Sequence, residues 1–155
     1  ADEGEFFIHR NIANLIPPFN PDGDHHGTSA AIEYATKELN VSHIIVLGHS
    51  GCGGIIKGYE LCSGIKKNDE YFFVNKWLSI LRPAYKNLPS NESQEKQILL
   101  LEEESIKVSI SNLLDFPNIK ESIKHHNLSM HGLLHDIGSG TLKVLNPISE
   151  KFEEI

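Results

Sequence analysis

Residues 43–54 read His43-Ile44-Ile45-Val46-Leu47-Gly48-His49-Ser50-Gly51-Cys52-Gly53-Gly54. The unbroken apolar run from Ile44 to Leu47 suits a parallel strand covered on both faces. Four glycines among the seven residues from Gly48 to Gly54 then make a bend in which backbone can approach another group closely. Open α/β sheets gather functional groups at the C-terminal ends of their strands, where His49 and Cys52 stand. Imidazole nitrogen and thiolate sulfur are both zinc donors, and a tight glycine turn lets the pair aim at one point. The flanking glycines, Gly53 among them, leave room for an ion and a small ligand, and their N–H groups can point at an anion. A His-x-x-Cys pair alone also describes a core histidine beside a buried thiol; its position and glycine context bring the metal reading level with that one.

Working outward, Phe6-Phe7-Ile8-His9 reads as a strand. Pro17-Pro18 and Asn20-Pro21-Asp22-Gly23 make residues 11–27 mostly loop or short helix. Thr28 and Ser29 are N-cap types for a helix over residues 30–39, with Ile32, Ala35 and Leu39 on one face and Asn40 as its stop. Strand, helix and strand together predict an α/β unit with a right-handed crossover.

Downstream, a helix is expected to begin over Ile55–Leu61. Residues 70–88 read as helical, carrying Phe72, Phe73, Trp77, Leu78 and Leu81, with a break at Pro83. Residues 91–114 read as a long helix with Ile106, Ile110 and Leu113 on one face. Pro117 ends it, and Ile119 and Ile123 mark a short helix after it. Leu128–Ile137 then reads as a strand, Gly138-Ser139-Gly140 as a turn and Thr141–Leu145 as the return strand. The predicted architecture is one domain over residues 1–155, an α/β fold with a mostly parallel central sheet flanked by helices.

A formal net charge of −7 argues against a nucleic-acid partner and against an anionic membrane surface. No apolar run is long enough to span a bilayer. Two cysteines, Cys52 and Cys62, are too few for a disulfide scaffold and read either as two reduced thiols of a cytosolic protein or as a metal ligand and a bystander. Of the nine histidines, His25-His26 and His125-His126 lie in polar surroundings and read as solvated. His43, at the start of its strand, is at the wrong end for the site.

Four segments carry a family resemblance: Gly4–Leu15; Ser29-Ala30-Ala31-Ile32-Glu33-Tyr34-Ala35; His43–Gly54; and His131-Gly132-Leu133-Leu134-His135-Asp136-Ile137 with Gly140-Thr141-Leu142. In this order and over nearly the whole chain, they resemble the β-class carbonic anhydrases, the plant-like branch most closely. The resemblance implies a zinc held by two cysteines and one histidine, of which His49 and Cys52 match the second and third ligands. It implies hydration of carbon dioxide to bicarbonate by a zinc-bound hydroxide in a small apolar pocket. Phe7 and Ile12 match pocket positions beside Gly53, and Tyr34 matches an aromatic supplied by a neighbouring subunit. Ordinary core packing also accounts for Phe7, Ile12 and Tyr34 singly, and a strand-end hydrogen-bonding pair accounts for Arg10 and Asn11. The family's assembly implies a homodimer or higher homo-oligomer, with Phe72, Phe73 and Trp77 either at an interface or packed within one subunit. The expected compartment is the cytoplasm, or an organelle if a leader precedes Ala1.

The family's first motif, a C-x-D-x-R strand with the first cysteine ligand and an Asp–Arg pair, does not occur in these 155 residues, nor do its N-terminal helices. In the family sheet that strand lies between those containing Phe7 and Val46. Each buried, unpaired backbone group left by its absence costs about 1–3 kcal/mol. The 155 residues by themselves are therefore expected to fold poorly or to pair with another chain, to hold zinc weakly and to hydrate little carbon dioxide. Two other functions fit the sequence: a non-catalytic binding relative, and a hydrolase of carbon disulfide or carbonyl sulfide.

Overall fold

The computed structural model describes residues 2–65, 70–125 and 127–155. A short 3₁₀ turn, Ile12–Asn14, precedes α1 (His26–Lys37), β1 (His43–His49), α2 (Gly53–Ser63) and α3 (Phe72–Leu78). A second 3₁₀ turn, Ser79–Leu81, leads into α4 (Arg82–Lys86), followed by α5 (Gln94–Leu113), α6 (Pro117–Lys124), β2 (Ser129–His135), β3 (Leu142–Leu145) and β4 (Phe152–Glu154). Pro83 and Pro117 sit in the first turns of α4 and α6, where a missing N–H costs nothing. Ser93 caps α5 by accepting the Lys96 N–H.

The α/β expectation holds, with a mixed rather than mostly parallel sheet among the described residues. The order is β1-β2-β3-β4; β1 and β2 run parallel, and β2–β3 and β3–β4 are antiparallel. Phe6–His9 is not a strand. It has the right composition but no strand beside it, and pairing rather than propensity makes a ladder. The other edge of β1 likewise carries no described strand.

Nor is β1 covered on both faces. Ile44, Val46 and Gly48 face the helices, whereas Ile45 and Leu47 are 48% and 56% exposed. The covered face meets α5 through a close fit. The Ile106 side chain lies 3.0 Å from where a Cβ on Gly48 would stand and 2.8 Å from one on Gly132. Gly132 pairs with Val46 in the register, so a fully buried isoleucine seats over two glycines on adjacent strands. A second core, built on Leu15, Ile55, Leu78, Leu81 and Leu101, packs α2, the 3₁₀ turn 79–81 and α5 together.

Helix α1 begins at His26, earlier than expected, because Thr28 does not cap it. Instead Thr28 Oγ1 is engaged from the N-terminal segment, by His9 Nε2 at 3.0 Å and by the Asn11 amide at 3.4 Å. His25 is not solvated: it is half-buried, and its ring lies 5.6 Å from that of Trp77. His26 and His125 are exposed, and His126 lies outside the described residues. Phe72 and Phe73 are 78% and 88% exposed, while Trp77 donates to the Ile12 carbonyl at 2.8 Å.

Asp136 organises the turn between β2 and β3. Its Oδ1 accepts the Gly138 and Ser139 N–H groups at 2.8 and 3.1 Å. These bonds, the Ser139 one foremost, hold its carboxyl below the usual range. Such a group contributes stability above its unfolded-state pKa and loses it as pH falls through the folded value. In the protein with its natural flanking sequence, Asp136→Asn is therefore expected to lower the urea midpoint at neutral pH, with the deficit vanishing on acidification; a deficit independent of pH rules this out. Gly132→Ala pushes a Cβ into buried Ile106 and is expected to cost about 1–3 kcal/mol. An unchanged urea midpoint would contradict that packing.

Candidate metal centre

Strand β1 delivers His49 at its last position, and two residues of turn bring the chain to Cys52, which caps α2. Gly51 carries the turn at φ +68°, a left-handed conformation that side chains strain. The turn is tied on two sides. On one, the Ser50 N–H donates to the His135 carbonyl at 2.9 Å, and Ser50 Oγ accepts the Ile137 N–H at 2.9 Å and donates to Asp136 at 3.4 Å. On the other, Glu102 of α5 accepts the Gly51 N–H at 2.6 Å and the Cys52 N–H at 3.3 Å.

His49 is exposed, and its Nδ1 lies 3.0 Å from the Ser50 carbonyl. A carbonyl only accepts, so Nδ1 carries the proton and Nε2 keeps the free lone pair a metal requires. Cys52 is buried and free of any disulfide. This donor set fits part of a zinc site. Among the described residues no three His, Cys, Asp or Glu side chains converge, and zinc ordinarily takes three or four protein ligands. Cys62 lies further along α2 in the helical core, where burial pushes its thiol up, consistent with a bystander. His43, far from the bend, pairs with His131 across the sheet at 3.2 Å.

Glu102 corrects one expectation. The N–H groups of Gly51 and Cys52 do not await an external anion; they already hold an internal carboxylate. Glu102 is 3% exposed, and burial pushes its carboxyl up while the two N–H groups and His49 pull it back. Sequence reading missed it because Glu102-Glu103-Glu104 looks like a solvated run. The available signal was spacing: Glu102, Ser105, Ser109 and Asn112 recur at helical intervals beside the apolar Ile106 and Leu113.

That polar row holds more than the turn. Ser109 Oγ accepts the Ile16 N–H at 3.2 Å and donates to the Asn14 carbonyl at 2.9 Å. Asn112 donates to the Ile16 carbonyl at 2.8 Å, and Asn14 donates to Ser105 at 3.2 Å. These contacts fix the 3₁₀ turn, where Ala13 and Asn14 both take positive φ. Asn11 closes it from the other end, bonding both the N–H and the carbonyl of Leu15.

The turn in turn places Ile12 over the glycine bend, its Cγ2 2.7 Å from where a Cβ on Gly54 would stand. A Cβ on Gly53 would meet nothing within 4 Å, so space is open beside Cys52. Phe7 and Tyr34 form a separate tilted pair within one chain, 5.9 Å between ring centroids and each about half exposed. A concavity of about 350 Å³ lined by Pro18, His25, Ile80, Pro83 and Asn112 includes neither His49 nor Cys52.

Residues 1–142 match the family model described as carbonic anhydrase. The chain is 37% identical over 141 residues to Beta carbonic anhydrase 3 of Arabidopsis thaliana, covering 89% of this chain and 54% of that protein. It thus spans about half the length of this curated relative. Among solved structures it superposes on the β-carbonic anhydrase CcaA with a TM-score of 0.86 at 29% identity, over 99% of this chain and 74% of that one. It also superposes on a tetrameric β-carbonic anhydrase of the fungus Sordaria macrospora with a TM-score of 0.76 at 30% identity, over 94% and 70% of the two chains. By the family model matched over residues 1–142 and by these relatives, this chain belongs to the β-carbonic anhydrase family.

Proposed function

We propose that the protein to which this chain belongs catalyses the zinc-dependent, reversible hydration of carbon dioxide to bicarbonate. The observation that carries the reading is the pairing of a histidine whose Nε2 is left free with a buried free thiol, at the two ends of one glycine bend. His49 and Cys52 hold the ion on this reading, and the remaining protein donor comes from outside the described residues. Carbonic anhydrase is itself the reference case for zinc lowering the pKa of a coordinated water to about 7, and that is the chemistry the ion supplies.

The chain's own residues do the rest. The Ser50 carbonyl fixes the tautomer and the ring of His49. The open space at Gly53 admits a small ligand beside the thiol, and the Ile12 side chain, packed over Gly54 next along the chain, gives the bend an apolar neighbour suited to an uncharged molecule. Phe7 and Tyr34 extend the apolar surface of the N-terminal segment, and Tyr34 is exposed enough to face a neighbouring subunit.

Homo-oligomerisation belongs to the same reading. Ile45 and Leu47 on the uncovered sheet face, and Phe72 and Phe73 on α3, are large apolar groups left exposed by a single chain. No helix among the described residues is long and apolar enough to cross a membrane. Two free thiols suit a reducing compartment such as the cytoplasm.

A second reading, a non-catalytic relative, draws support from the two-donor count among the described residues. Metal analysis and stopped-flow carbon dioxide hydration separate the two. With its natural flanking sequence the protein is expected to hold about one zinc per chain and to turn over carbon dioxide. Cys52→Ser and His49→Ala are each expected to strip the zinc and reduce hydration to background. Zinc-free protein without turnover establishes the second reading, and turnover of carbon disulfide or carbonyl sulfide in place of carbon dioxide redirects the first. The 155 residues alone are expected to bind zinc weakly, to hydrate little and to unfold without a steep urea transition as a monomer.

A further inference from the structure

Among the described residues Glu102 is the most deeply buried carboxylate, and there it serves neither a salt bridge nor a turn of its own helix. Its Oε1 reaches across from α5 to two backbone N–H groups, Gly51 at 2.6 Å and Cys52 at 3.3 Å. Those N–H groups belong to the one stretch of backbone whose shape decides where the Cys52 sulfur stands relative to the His49 ring. Gly51 has no side chain and sits at positive φ, so the bend does not hold itself. Its flank at Ser50 is secured by β2, but the Gly51–Cys52 side has Glu102 as its anchor. Outer groups that orient ligands in this way typically change metal affinity strongly when removed.

We propose that Glu102 is the positioning residue of the metal centre: by gripping the Gly51 and Cys52 N–H groups it presents the Cys52 thiolate and His49 Nε2 to a single ion. The inference rests on the metal reading above and adds a residue to it. Glu102 touches neither metal nor substrate on this account. It acts through the backbone of the ligand, and what it needs is reach and an acceptor oxygen.

Reach and charge can be separated. Glu102→Gln keeps the reach and one acceptor oxygen but loses the charge. Glu102→Asp keeps the charge and is one methylene too short. Glu102→Ala loses both. Each variant is made in the protein with its natural flanking sequence, loaded with cobalt in place of zinc, and compared by its visible absorption, including the thiolate-to-cobalt charge-transfer band, and by competition for zinc against a chelator. Positioning predicts that Ala and Asp lose zinc affinity by about 10- to 100-fold and weaken or shift the thiolate band, while Gln stays closer to the unsubstituted protein. Ala with an unaltered band and affinity overturns the inference, as does an Asp variant that behaves normally while Gln fails, which would make the charge rather than the grip the active feature. Where Ala does not fold, the order of Gln and Asp decides. Absence of a thiolate–cobalt band in the unsubstituted protein overturns the metal reading itself, and this inference with it.

Discussion

Buried backbone that belongs to neither helix nor sheet has to find hydrogen-bond partners elsewhere, and in this fold one face of α5 provides them. Glu102, Ser105, Ser109 and Asn112 lie along the helix at intervals of three and four residues, each turned toward irregular chain. They hold the bend at residues 50–52 and the 3₁₀ turn at residues 12–14. Ile106, on the adjacent face of the same helix, seats into the glycine gap of β1 and β2. One helix therefore sets the distance to the sheet by packing and the shape of the loops by hydrogen bonding. The geometry of His49 and Cys52 inherits both.

This arrangement explains which parts of the fold can be read from sequence. The apolar run Ile44–Leu47 with its glycine bend, the proline-bounded helices and the β2–β3 hairpin are local signals, and they stand where the spacing puts them. What fails depends on what lies opposite. Phe6–His9 has strand composition but no described neighbour to pair with. Ile45 and Leu47 look like core and are exposed, because nothing described covers that face. Thr28 is an N-cap by type, yet His9 and Asn11 claim its hydroxyl and α1 starts two residues before it. The brief strand β4, Phe152–Glu154, is too short to carry a period of its own.

The candidate site divides along the same line. His49 and Cys52 are legible because their spacing, glycines and strand-end position are all contiguous. Glu102 is fifty residues further on, and its partners at the bend are set by tertiary placement, with only its helical spacing to Ser105, Ser109 and Asn112 separating it in sequence from Glu103 and Glu104. A charged residue in a run of three is ordinarily solvated; here its neighbours at one and two turns, Ser105 and Ser109, are fully buried and polar, which marks the row as facing protein rather than water.

The identity of Glu102 also decides the sign of the site. A glycine bend after a buried strand, with N–H groups converging, is a cradle for anions in general. Here the carboxyl group of Glu102, from within the fold, occupies part of that cradle, so the Gly51 and Cys52 N–H groups are spent internally. Asp136, held below its usual range by the Ser139 and Gly138 N–H groups, is a negative charge bonded to Ser50 on the other flank. With two of its N–H groups taken by Glu102 and the Asp136 charge on its other flank, the bend is poorly suited to a phosphate or a carboxylate ligand. An electropositive phosphate loop built on the same glycines would need the reverse: unclaimed N–H groups and a basic residue where Glu102 stands.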